Sequence, residues 1–261
     1  MGEQAFEFGL IGVYFMKLLP TLRLTLLIVV GSIAVGLIAG TLAALPRLYR
    51  VPILQRVSQV YVSFFRGTPI LIQLFLFYYG LPELVEPLGL DLSRTPALAF
   101  VVLAYGLHSG AFISEAIRAA VTAVDRGQVE AAYAVGMSGP QALRRIVLPQ
   151  ALVIAVPVLG NLVIANLKDT SLAFTLGVME LTGKAQTLGL LAQHFLEAYL
   201  SLAALYFIIS WGLERLFLWW ERSLLRKQGV AALPRLGRLG RQALMRRFAQ
   251  EARLGREGAS G

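Results

Sequence analysis

Five apolar stretches dominate this chain, at about 21–45, 59–81, 96–117, 151–179 and 197–218. Each reaches or approaches the roughly 20 residues needed to cross a hydrocarbon core about 30 Å thick. Runs of that length and composition predict an all-α, polytopic membrane protein with about five transmembrane helices. The balance of the sequence agrees: 57% of the 261 residues are hydrophobic, 15% are charged and the mean hydropathy is +0.67. A soluble domain is usually about a quarter charged. With no cysteine and two histidines, the chain has no disulfide, thiolate metal site or His-rich metal centre.

The basic residues sort by segment. After the first, third and fifth runs come Arg47, Arg50 and Arg56, then Arg118, Arg126, Arg144 and Arg145, then an Arg/Lys-rich tail. The other segments hold Glu3, Glu7 and Lys17, then Glu83, Glu86, Asp91 and Arg94, then Glu180 and Lys184. Cytoplasmic loops retain Lys and Arg, so the expected topology places the N-terminus outside and the C-terminus in the cytoplasm. This divides the chain into an extracytoplasmic segment (1–17), a membrane domain (18–220) with a cytoplasmic insert at 124–150, and a basic cytoplasmic tail (221–261). The net charge of +9 is concentrated in that tail, which suits anionic headgroups rather than nucleic acid. Trp211, Trp219 and Trp220 fit an interfacial belt at the inner end of the fifth run. "MGEQAFEF" has no basic n-region and does not resemble a cleaved signal peptide.

Catalytic motifs are absent. No HExxH, GxSxG or dinucleotide fingerprint occurs, and no cofactor is implied. "GVMELTGKA", residues 177–185, has a glycine spacing one residue too long for a phosphate loop and ends in Ala185 where Ser or Thr is required.

The insert "EAAYAVGMSGPQALRRIVLP" reads as two short helices. Glu130 to Val135 are good helix formers, with Glu130 expected in the first turn, where a carboxylate suits the positive helix end. Gly136 ends or bends that helix. Ser138 with Gln141 three residues later forms a capping-box pattern, Pro140 fits a first turn, and the second helix is expected over 140–147. Pro149 then marks the start of the fourth run. Such a projection could dock into a groove of another protein or simply join two spans.

The spacing Glu130-Ala131-Ala132, three residues, Gly136, nine residues, then Ile146, Leu148 and Pro149 matches the EAA loop of ABC-transporter permeases. Most of residues 18–220 resemble that family. "YVSFFRGTPILIQLFLFYYGLP", "SGAFISEAIRAAVTAVDRGQVEAA" and "LKDTSLAF" are similar to its polar amino-acid importers, and "KDTSLAFTLGVMELTGKAQTLG" is most similar to the L-cystine permeases. The resemblance implies the type I importer permease fold in the cytoplasmic membrane. It also implies a coupling helix seated on a cytoplasmic ABC ATPase, a second permease subunit, identical or similar, and an extracytoplasmic solute-binding protein. ATP would be hydrolysed on the partner, not here.

Lys168 and Asp169 fall near the middle of the fourth run, where ionisable groups are costly unless paired or lining a wet path. Together they offer a cation and an anion to a zwitterionic amino acid, although neighbours on a helix diverge by about 100°. A structural ion pair is the competing reading. Arg66 in "FFRGTP" could fork onto a carboxylate or snorkel to the inner surface, and Gly67 and Pro69 would loosen its helix. Gln73, Asn161 and Asn166 could extend a polar lining or serve as interhelical hydrogen bonds. Glu115 and Arg118, three residues apart, are expected to form a local salt bridge, and His108 to be hydrogen-bonded packing. Alternatives to cystine are glutamine, glutamate or a basic amino acid. An ion-coupled secondary transporter would need coupling-ion sites and inverted repeats, and no convincing repeat is visible.

Overall fold

The structure, a computed structural model, describes residues 6–227. Every element among them is helical: α1 (Phe8–Leu48), α2 (Pro52–Gly67), α3 (Ile70–Leu88), α4 (Ala97–Thr122), α5 (Arg126–Ala134), α6 (Gly139–Leu176), α7 (Leu181–Ala192) and α8 (Phe195–Lys227). Four of these, α1, α4, α6 and α8, are long and apolar enough to span a bilayer, and the bent pair α2 and α3 is the fifth candidate. Most of the basic tail lies outside the described residues.

Charges frame the depth of the spans. Residues 24–46 of α1 and 97–114 of α4 carry no formal charge, about 35 and 27 Å of helix at 1.5 Å per residue. Arg47 closes the first window and Glu115 the second, and their side chains meet at 2.5 Å. That contact marks one membrane boundary. The helices reach it side by side and parallel, because small residues let their backbones approach. Gly36 and Gly40 of α1 face Gly106 and Gly110 of α4, and a Cβ on Gly40 would stand 2.7 Å from the Gly110 carbonyl oxygen. Two G-x3-G pairs, one on each helix, are the sequence signature of this contact. α6 runs antiparallel to α4, with Asn166 Nδ2 donating to Ser109 Oγ at 2.9 Å and the Tyr105 hydroxyl to the Asp169 carbonyl at 2.5 Å. Tyr105 sits halfway along the uncharged window of α4, so Asp169 lies at half depth.

The second hydropathic run is broken. Thr68 is extended (φ −113°, ψ 142°) ahead of Pro69, which disfavours helical backbone at the preceding residue. α2 and α3 therefore meet at a bend of 112°. α2 is amphipathic and buries Ser58, Val62 and Phe65 along one face, the spacing of a helix that packs on one side only. α1 begins at Phe8, well before the expected start near 21, and Ser201 Oγ of α8 donates to the Ile11 carbonyl at 2.8 Å.

The insert differs from expectation at both ends. α5 starts at Arg126, so Glu130 lies beyond its first turn, and Asp125 is the N-cap, accepting from the Gly127 N–H at 2.6 Å. Gly136 ends this helix in the left-handed region at φ +83°. Gln141 Oε1 accepts the Ser138 N–H at 2.9 Å, as the capping-box pattern requires. The second helix does not stop at 147. It passes through a π turn, Leu143–Val147, directly into the span, so the second insert helix and the membrane helix are one body, α6. The Leu148 N–H bonds back to the Leu143 carbonyl in that wider turn, just ahead of Pro149, which has no N–H to donate.

Candidate functional site

A cavity of about 590 Å³ runs between α4 and α6 from the Arg47–Glu115 boundary to half depth. Arg66, His108, Phe112 and Glu115 line it from one side and Asn161, Asn166 and Asp169 from the other. Of the six residues singled out as substrate contacts, the fold thus gathers Arg66, Asn161, Asn166 and Asp169 around one space. No ion pair or side-chain hydrogen bond engages the Asp169 carboxylate among the described residues. Asn166 is 3% exposed, its Nδ2 is committed to Ser109, and its Oδ1 has no partner.

Lys168 and Gln73 are placed elsewhere. Helical rotation of about 100° turns Lys168 away from Asp169, into a separate hollow of about 520 Å³ with Ser171, Thr182, Tyr199, Tyr206 and Ser210. The two form no ion pair. Among the described residues the cations lining the Asp169 cavity reduce to Arg66, so a site with both charges is assembled across helices rather than within one. Gln73 is fully buried and braces the helix break: its Nε2 donates to the carbonyls of Phe65 and Thr68, both at 2.9 Å. Those carbonyls belong to the C-terminal turn of α2 and the residue beyond it, where intrahelical donors run out.

Arg66 lines the cavity at one end. It sits at the boundary end, 4.0 Å from Glu115 and 5.5 Å over the Phe112 ring, with about half its side chain accessible. Glu115 also receives Arg118, at 2.9 Å, and Arg47. The local Glu115–Arg118 bridge is thus part of a cluster of one carboxylate and three guanidiniums, joining α1, α2 and α4. Only the i,i+3 pair was legible in the sequence.

Glu180 is a further residue whose weight the sequence did not reveal. It is fully buried, its Oε1 caps α7 by accepting from the Thr182 and Gly183 N–H groups at 2.8 and 3.0 Å, and its Oε2 accepts from the Tyr206 hydroxyl at 3.2 Å. Burial pushes its carboxyl above the ordinary range, against the opposing pull of those hydrogen bonds. Its position three residues before Gly183 at a helix start was the available signal.

At the opposite end of α6, the insert folds over a second hollow of about 840 Å³, lined by Tyr49, Val124, Val129, Glu130, Tyr133 and Leu143. Tyr133 and Val135 are exposed, while Ala132 is buried against the body. An exposed apolar rim on a two-helix knob is a surface suited to a protein partner.

The profile of the binding-protein-dependent transport system inner membrane components matches residues 32–226. The chain belongs to that family. Like its relatives it is a multi-pass membrane permease subunit without ATPase activity of its own. It is 46% identical over 226 residues to the L-cystine transport system permease protein TcyL of Bacillus subtilis (strain 168), covering 87% of this chain and 95% of that one. It is 42% identical over 216 residues to the probable amino-acid ABC transporter permease protein PatM of Vibrio harveyi, covering 81% and 95%. Among solved structures, an amino acid ABC transporter with histidines shares 31% identity at a TM-score of 0.70, covering 84% of this chain and all of that one. The MetNI methionine transporter, at 20% identity and a TM-score of 0.58, shares the fold.

Proposed function

We propose that this permease translocates a polar amino acid, with L-cystine its substrate, by alternating access in the cytoplasmic membrane. The observation that carries the reading is the single cavity in which Arg66 and Asp169, from different helices, flank a space reaching half depth. An α-carboxylate and an α-ammonium need one cation and one anion, and a guanidinium is suited to forking onto a carboxylate. The 46% identity to a cystine permease supports the choice of amino acid.

In this reading the Arg47–Glu115 boundary is the cytoplasmic one, following the excess of Arg in the connected segments. The insert carrying Glu130, Ala131, Ala132 and Gly136, with Ile146, Leu148 and Pro149 on α6, seats on a separate ABC ATPase. Because the second insert helix continues into the helix that carries Asn166 and Asp169, a displacement at the ATPase reaches the cavity along α6. Five spans do not enclose a path, so a second permease subunit completes it, and a solute-binding protein delivers the substrate outside. ATP drives the cycle because the docked ATPases favour different permease states with and without it.

Labelled cystine, glutamine, arginine and histidine are offered to vesicles containing this chain with its ATPase and binding protein, with and without ATP on the ATPase side. Uptake that requires ATP and favours cystine is expected. Preference for arginine would reassign the substrate to a basic amino acid. Uptake that ignores ATP but collapses with an ion gradient would remove the reading.

A further inference from the structure

His108 reads in the sequence as hydrogen-bonded packing, yet its ring lines the cavity, and its neighbours decide which nitrogen faces the space. Its Nδ1 lies 3.0 Å from Gln73 Oε1. A glutamine amide can be flipped on paper, so its orientation must come from its other partners. Gln73 Nε2 contacts the Phe65 and Thr68 carbonyls, which only accept, and the Thr68 Oγ1, whose proton is spent on the Phe64 carbonyl at 2.8 Å. The NH2 group must point at them, and Oε1 must point at His108. Oε1 has no proton, so Nδ1 carries one. The neutral imidazole then has a bare Nε2, an acceptor.

We propose that His108 is a substrate-contact residue, held by Gln73 as the Nδ1–H tautomer, whose Nε2 joins the Asp169 carboxylate in binding the ammonium group of the substrate. The inference rests on the amino-acid reading above and deepens it. A primary ammonium has three N–H donors, and the cavity offers it the His108 ring from the α4 side and the Asp169 carboxylate from the α6 side. An alkali cation would be a poor occupant, since hard cations take oxygen ligands and an imidazole nitrogen offers none. The helix break thus has a chemical consequence: the carbonyls it leaves without helical donors orient Gln73, and Gln73 orients the histidine.

The test uses the purified permease–ATPase complex without the binding protein, so that selectivity for the amine belongs to the permease. The probes are labelled cystine and 3,3′-dithiodipropionate, which is cystine without its amino groups. His108→Leu is expected to weaken cystine binding about tenfold or more while shifting dithiodipropionate competition less than about twofold, and His108→Gln, whose amide oxygen can replace Nε2, is expected to recover most of the loss. Equal loss for both ligands assigns His108 a purely structural role and overturns the proposal, as does no loss. A second measurement needs no altered cavity. The chain has two histidines, so 15N-histidine spectra resolve His108 once compared with a His194→Gln sample. A protonated Nδ1 and bare Nε2 are expected, and the reverse tautomer overturns the proposal whatever the transport data show. Absence of binding by any amino acid, with the expected tautomer present, locates the failure in the amino-acid reading and removes the ammonium role with it.

Discussion

Among the described glycines, Gly40 is the one whose added Cβ would come nearest to the backbone of another helix, and substituting alanine there turns the geometry into a number. A Cβ at Gly40 would stand 2.7 Å from the Gly110 carbonyl oxygen and 2.8 Å from Ile113 Cβ and Cγ2. Ordinary contacts are about 3.5 Å or more, so α1 and α4 must part by roughly 0.8 Å at that level. The obstacle is backbone and a β-branched residue, neither of which can swing aside. Overpacking of this kind costs about 1–3 kcal/mol. Near 2 kcal/mol, a chain of this size loses roughly 4–8 °C in Tm. Gly212 is the internal contrast: it lies in α8, and a Cβ there meets nothing within 4 Å. Gly212→Ala should therefore stabilise the helix by up to about 1 kcal/mol. Thermal unfolding of the purified permease, followed by tryptophan emission, reads both. Shifts of opposite sign are expected. Equal shifts, or a Gly40→Ala protein as stable as the parent, would mean that the two helices are not in backbone contact and that the depth frame drawn from Arg47 and Glu115 is wrong.

Asp169→Asn should raise the KM for uptake about tenfold or more, because the carboxylate faces the cavity unpaired, whereas Lys168→Met should alter KM little, its side chain lining a different hollow; matched effects in a transport assay would place both residues on one path. Gly136→Val forces a β-branched residue to φ +83°, a cost of about 1–2 kcal/mol, and should lower uptake per ATP hydrolysed without abolishing insertion into the membrane. Unchanged coupling ratios would dissociate the insert from energy transfer. Gln73→Leu strands the Phe65 and Thr68 carbonyls and should destabilise the permease by about 2 kcal/mol or more, visible as a lowered Tm; an unshifted Tm would show that water replaces the amide.

What the sequence determined by itself is what local chemistry dictates. Apolar run length set the helical membrane class, and the Gly136 and Ser138–Gln141 signals set the turn between the insert helices, because caps and left-handed glycines depend on a few adjacent residues. The EAA spacing likewise marked the insert before any contact was known. The tertiary structure decided the rest, since it depends on which helix face meets which neighbour. Lys168 and Asp169 are adjacent in sequence yet open into different hollows, because one step along a helix turns by about 100°. Arg66 reaches Asp169's cavity only because the chain breaks at Thr68–Pro69 and bends α2 by 112° from α3. Apolarity alone read that segment as a continuous span, as hydropathy averages over a single extended residue. The tautomer of His108 was the furthest from view, for it rests on Gln73, 35 residues away, and on carbonyls whose freedom exists only once the break has formed.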